Sequence, residues 1–262
     1  MPNVLTKTLW DSRRGLAGFA LGTALVGAMY ASFYPQIADG AMEQAVEGFS
    51  PALREALNME DIASAAGYLG SSVFGILVPL IAVIYGIATG TRAIAGDEEA
   101  GYLDLLLSHP VSRTRLVLHR LGALAIGSFT LAAVVLLAML AVRTGARLDT
   151  ITIAQFAAQC VALGLLATLF GTIAITVGAA TGSRATALAS STVLGVLCYA
   201  ADTVAPQIGA DGARYLSPFH YYIGNQPLRN GFQWIDLGIL LATIIVLGAL
   251  AVVSFNRRDL AS

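Results

Sequence analysis

Long charge-free apolar runs separated by short polar segments set the pattern of this chain. Six runs, at 16–34, 68–90, 121–142, 153–182, 185–201 and 237–254, contain no Asp, Glu, Lys, Arg or His. A bilayer core about 30 Å thick needs about 20 apolar residues in helical form, because every backbone polar group must bond within its own segment. The pattern therefore predicts an all-α polytopic membrane protein with about six transmembrane helices, forming a single transmembrane domain over 1–262. The fourth run exceeds a perpendicular crossing, so it is expected to tilt, protrude or break near Gly171 or Gly178. The fifth run is short and holds Ser190, Ser191 and Thr192. Two full crossings or a re-entrant hairpin both fit 153–201. Pro79 lies inside the second run and is expected to kink it.

The first run follows Lys7, Arg13 and Arg14 and could pass for a secretory signal. It is longer than the usual 7 to 15 residues of such a segment and five more spans follow, so it reads as a retained helix. Basic residues gather in cytoplasmic loops. Placing the N-terminus inside puts ten of the fifteen basic residues in the cytoplasm. Both termini are then cytoplasmic, with external segments at 35–67, 143–152 and 202–236 and a cytoplasmic segment at 91–120. The hairpin alternative leaves this orientation unchanged.

Composition agrees, with 56% hydrophobic and 12% charged residues against about 25% charged in ordinary soluble domains. A net charge of −1 offers no basic excess for nucleic acid. Fourteen of the basic residues are arginine; the one lysine, Lys7, has no glycine-rich loop beside it, so a phosphate-cradling motif is absent. Cys160 and Cys198 lie in apolar runs and read as small buried hydrophobes. His109, His119 and His220 fall on different predicted sides, and no His-Glu-x-x-His string occurs. These features argue against an intramembrane enzyme.

Outside the spans, Val4, Leu5, Leu9 and Trp10 suit either a short interfacial helix or the start of the first span. The loop 35–67 carries six carboxylates against Arg54 alone, with short helices expected at 41–48 and 51–57. Its spacing does not match a calcium loop. Segment 202–236 holds Tyr215, Phe219, Tyr221, Tyr222, Phe232 and Trp234, which could form an interfacial belt or a lid over a path. Gln155 and Gln159, one helical turn apart, could line a path or fasten helices together.

The segment 91–115 carries the sharpest pattern. Asp97, Glu98 and Glu99 stand where a helix would begin, Leu103, Leu106 and Leu107 make an apolar stripe at i, i+3 and i+4, and Pro110 ends it. The result is a short amphipathic helix at the cytoplasmic surface. Such a helix lies against lipid and its own spans, or inserts its leucines into a groove on a soluble partner.

The string Arg92 to Gly101, the run Tyr102-Leu-Asp-Leu-Leu-Leu-Ser108 and the turn Pro110-Val-Ser-Arg113 resemble the signature of ABC transporter permeases of the type-2 exporter class. Tyr102 stands where that pattern usually has Thr, and Asp97 where Glu is commoner. Ser217-Pro-Phe-His-Tyr-Tyr222, Pro227-Leu, Asn230-Gly231 and Phe255-Asn-Arg-Arg-Asp-Leu260 are similar to later parts of such chains. The resemblance covers essentially the whole chain. It implies a permease subunit in the plasma membrane that pairs with itself or a paralogue and couples to two copies of a separate ATP-binding subunit. The chain itself would bind no cofactor; ATP and Mg would sit on the partner. The docking residues implied are Asp97, Glu98, Glu99, Gly101, Leu103, Leu106, Leu107, Pro110 and Arg113. Independently, gradient-driven carriers generally place ionisable groups within their spans, and these runs have none. An ion-coupled secondary transporter and a non-transporting membrane scaffold are the alternatives. A lining this apolar suggests an amphipathic or hydrophobic cargo.

Overall fold

The computed structural model describes residues 4–38, 64–101, 112–204, 209 and 211–258. Among these there is no strand, and six helices are long and apolar enough to cross a membrane. They are α1 (Val4–Ala31), α2 (Ala65–Glu99), α3 (Arg113–Val142), α4 (Ile153–Thr181), α5 (Arg184–Val204) and, after two short helices α6 (Pro218–Ile223) and α7 (Pro227–Asn230), α8 (Trp234–Arg257). The helices expected at 41–48 and 51–57, and the leucine stripe after Gly101, fall outside the described residues. The all-α polytopic architecture is as the hydrophobic pattern requires.

Local sequence explains the boundaries. Thr152 caps α4 by accepting from the Gln155 backbone N–H, while the Gln155 side chain accepts from the Thr152 N–H, a reciprocal capping box. Ser112 caps α3 in the same way through the Arg115 N–H. α4 ends on Gly182 at φ +69°, where a side chain would be strained. Ser183 then caps α5 through the Thr186 N–H. α4 runs unbroken through Gly171 and Gly178, and its 29 residues extend about 44 Å at the usual helical rise. α5 adds 21 residues, or about 31 Å. Region 153–201 is thus two long helices joined at Gly182, and α4 does not break at Gly171 or Gly178.

The second run meets its proline by changing helix type. A π-helical stretch, Leu69–Leu77, precedes Pro79, and the Val78 N–H bonds back to the Val73 carbonyl before regular α-helix resumes. Pro79 falls at the first turn of that helix, where its missing N–H costs least. The N-terminal segment is continuous with α1, and Arg13 lies over the exposed Trp10 ring at 3.5 Å.

α4 is the hub. It packs on α2, α3, α5, α6, α7 and α8, and most of its residues are buried, while α1 rests on α3 and α2. Phe74, Phe156, Phe170, Leu131 and Met139 fill the main core; Ile94, Leu116, Ile175 and Phe255 form a second cluster. By contrast Leu21, Leu25, Leu80, Leu137, Val193, Leu197, Ile245 and Val246 are exposed on the outside, as a lipid-facing surface requires. The aromatic segment is split. Phe219 packs on Phe170 and Tyr199 at 5.6 and 5.3 Å and Tyr222 is fully buried, whereas Tyr215 and Trp234 stay exposed and suit a belt.

The tightest contact is the crossing of α2 and α4. A Cβ on Gly86 would lie 2.2 Å from the Ala167 carbonyl oxygen, and one on Gly90 would lie 2.2 Å from that of Gly171. The Gly86-Ile-Ala-Thr-Gly90 spacing places both glycines on one helical face, the small-xxx-small arrangement by which helices approach in lipid.

Candidate functional site

Of the residues singled out around 97–113, the described ones, Asp97, Glu98, Glu99, Gly101 and Arg113, come together at one end of the bundle with the ends of all six long helices. Asp97, Glu98 and Glu99 do not begin a helix, as the sequence pattern suggested, but form the last turn of α2, because the second span runs on through Arg92–Gly96 and stops only at Gly101. Successive helical residues point about 100° apart, so three consecutive carboxylates radiate in three directions. Asp97 pairs with Arg120 of α3, which also donates to Thr8 Oγ1 of α1 at 2.9 Å. Glu98 pairs with Arg258 just beyond α8, and Arg258 donates to the Gly178 and Ala179 carbonyls of α4 at 3.3 and 3.2 Å. Glu99 Oε1 accepts from the Arg184 backbone N–H at 2.9 Å, at the N-terminus of α5, where the helix dipole favours negative charge.

The two ion pairs are sheltered, whereas the Glu99 contact lies at an exposed helix end. The Arg120 and Asp97 side chains are 13% and 25% exposed, and those of Arg258 and Glu98 18% and 24%. Screening by solvent is thus weaker than for a surface pair. Arg113 is also turned inward: it donates to the Arg258 carbonyl at 2.7 Å and the Phe255 carbonyl at 3.3 Å, with its guanidinium 5.8 Å from the Phe255 ring. It thereby closes the C-terminal end of α8. Asn256 donates to Thr114 Oγ1 at 3.0 Å beside it. Gly101 takes φ +71°, and its N–H bonds to the Glu98 carbonyl, which ends the helix immediately after the carboxylates. Of the remaining docking candidates, Leu103, Leu106, Leu107 and Pro110 lie outside the described residues.

Because Thr8 of α1 and Arg258 both belong to this cluster, the start of α1 and the end of α8 lie at the same end of the bundle. The segment between α2 and α3 starts and finishes there as well.

The profile of one protein family, described as ABC-2 family transporter protein, matches residues 2–260. The chain belongs to the ABC-2 transporter family. Membership makes it a permease, a membrane transport component and not itself the catalytic one. No curated protein matches the permease.

The two glutamines separate in role. Gln155 belongs to the cap of α4, and its Nε2 donates to the Arg229 carbonyl at 2.5 Å, fastening α4 to α7. Gln159 is fully buried next to Tyr222 and borders a cavity of about 460 Å³ with Tyr199, Asp202, Phe219 and Arg229. This cavity lies at the opposite end of the bundle from the carboxylates. Beside it His220 Nδ1 accepts from Arg214 Nε at 3.2 Å and stands 4.0 Å from Asp202.

Sequence reasoning placed Arg120, Arg184 and Arg258 only as basic residues on the cytoplasmic side. Their pairing with the carboxylates spans 23, 85 and 160 positions along the chain, and no local pattern carries it.

Proposed function

We propose that this permease is the membrane-spanning half of an ATP-driven exporter. It pairs with a second copy or a paralogue to enclose the cargo path, and two separate ATP-binding subunits carry ATP and Mg. The segment between α2 and α3 is the docking element, facing the cytoplasm of the plasma membrane together with both termini. Family membership over 2–260 is the observation that carries this reading. The clustering of six helix ends around the start of that segment supports it, because a displacement applied there meets every span. Amphipathic or hydrophobic cargo is in keeping with the apolar spans.

The test is co-expression of the permease with an ATP-binding subunit, followed by purification and reconstitution. The expected result is a complex with two ATP-binding subunits, together with nucleotide-dependent exposure changes in the permease. A preparation that moves solute on an ion gradient with no ATP-binding subunit present would overturn the proposal.

A further inference from the structure

We infer that Asp97, Glu98 and Glu99 are positioning residues that distribute motion of the docking element to the other five spans, rather than contacts to the ATP-binding subunit. This inference rests on the permease reading and refines it. Each carboxylate is committed to a different neighbour: Asp97 to Arg120 of α3, Glu98 to Arg258 after α8, and Glu99 to the N-terminus of α5. Through Arg120 the first reaches Thr8 of α1, and through Arg258 the second reaches the last carbonyls of α4. One helical turn of α2 therefore touches every other long helix, directly or through a single arginine.

Two flanking features fit a transmission role. A π-helical stretch, Arg92–Gly96, sits immediately before the carboxylates, and such stretches allow a helix to change register locally. On the other side, Gly101 breaks the helix at once, so whatever moves the segment after it acts on α2 at these three residues. Asp97 and Glu98 would each have to give up an arginine before binding a partner, which is costly where both groups are sheltered, and Glu99 would have to leave the N-terminus of α5. Docking contacts then fall to the leucines Leu103, Leu106 and Leu107.

The experiment uses the full permease with its ATP-binding subunit in liposomes. Cys160 and Cys198 are replaced by alanine, and a reporter is introduced as Ser71→Cys, an exposed position beside the distant cavity. A membrane-impermeant maleimide, added from the side that reaches this reporter, reads its labelling rate with and without ATP and Mg. For the unaltered triad the rate is expected to change by about fivefold or more on nucleotide addition. Glu98→Gln and Arg258→Gln should each reduce that response to less than about twofold, while the ATP-binding subunit still co-purifies at full stoichiometry. The double variant should be no worse than either single one, and Glu98→Asp should restore most of the response.

Loss of the ATP-binding subunit from Glu98→Gln would overturn the inference, because the carboxylate would then be a docking contact. An undiminished nucleotide response would also overturn it. Should Glu98→Gln fail to fold, Glu99→Ala, which loses one bond at an exposed helix end, carries the same two readouts. A reference complex that binds no ATP-binding subunit would instead overturn the permease reading itself.

Discussion

The helix α2 is held to its neighbours by two regions that work by opposite means. At the crossing with α4, Gly86 and Gly90 let backbone touch backbone, with no charge and no room for even one methyl group. At its carboxylate end, the long side chains of Arg120 and Arg258 reach across to Asp97 and Glu98, and the Arg184 backbone N–H donates to Glu99. Lipid tails are as apolar as leucine, so helices within the bilayer gain little from hiding greasy surface from each other. Close approach is what remains, and it is unforgiving because dispersion falls away within an ångström. The charged end tolerates displacement: an arginine can follow its carboxylate, or lean on another acceptor it already contacts, such as Thr8 Oγ1 or the Gly178 carbonyl, so that no sheltered group is stranded. The comparison separates contacts that must persist for the fold to exist from contacts free to be remade as it works.

The sharpest way to break the comparison is to treat both regions alike. Gly86→Val puts a branched side chain where a Cβ already sits 2.2 Å from the Ala167 carbonyl. The helices must separate, at a cost of about 3 kcal/mol or more, and a thermal ramp read by size-exclusion chromatography should show little folded permease. Gly18→Ala on α1, with no atom within 4 Å of the new methyl, is the matched control and should leave the ramp unchanged.

Next in size is the charged end. Asp97→Asn and Arg120→Gln should each lower stability by about 1–2 kcal/mol, and the double variant should fall short of their sum by at least about 0.5 kcal/mol. Both variants should still fold, in contrast to Gly86→Val. Additive losses would show that Asp97 and Arg120 act separately.

A third fastening lies at the other end, where neutral hydrogen bonds do the holding. Thr152→Ala removes the hydroxyl that caps α4, whereas Gln155→Ala keeps that bond and removes the reciprocal one from the Thr152 N–H together with the bond to the Arg229 carbonyl. The first should cost about 1 kcal/mol, within the usual range for a lost cap, and the second slightly more. Gln155→Glu keeps the acceptor for the Thr152 N–H and loses only the amide donor, so no loss for it in the same thermal ramp would show that the tie to α7 contributes nothing.

Much of this molecule is written in its local sequence, and the reason is the solvent. A segment facing hydrocarbon must satisfy its backbone alone, so length and apolarity suffice to find each span. Thr152 with Gln155, and Ser112 before Arg113, are likewise visible as caps because their partners are three residues away. The π-helical stretch before Pro79 was not legible: the proline signals a disturbance, but whether the helix kinks or widens depends on its neighbours. The inward turn of Phe219 and Tyr222 depends on Phe170 and Gln159, far along the chain. The candidate site was legible as a pattern of acids, glycine and arginine, and illegible as a network. A carboxylate at a surface helix end reads the same in sequence whether it faces a partner protein or Arg258.

The finest distinction between the two regions is their response to ions. At 1 M salt the screening length falls to about 3 Å, so the pairs around Asp97 and Glu98, about one quarter exposed on the acidic side, lose part of their attraction. The glycine crossing has no charge to screen. Raising salt from 0.1 M to 1 M should therefore destabilise the unaltered permease, relative to Asp97→Asn and Glu98→Gln combined, by only a few tenths of a kcal/mol, as expected for partly sheltered pairs. The measurement is the difference between the two thermal ramps at each salt concentration, which cancels the general effect of salt on detergent and helix packing. A difference that stays constant would place the pairs beyond the reach of solvent ions. They would then be as fixed as the crossing, and the division between persistent and exchangeable contacts would fail at its last step.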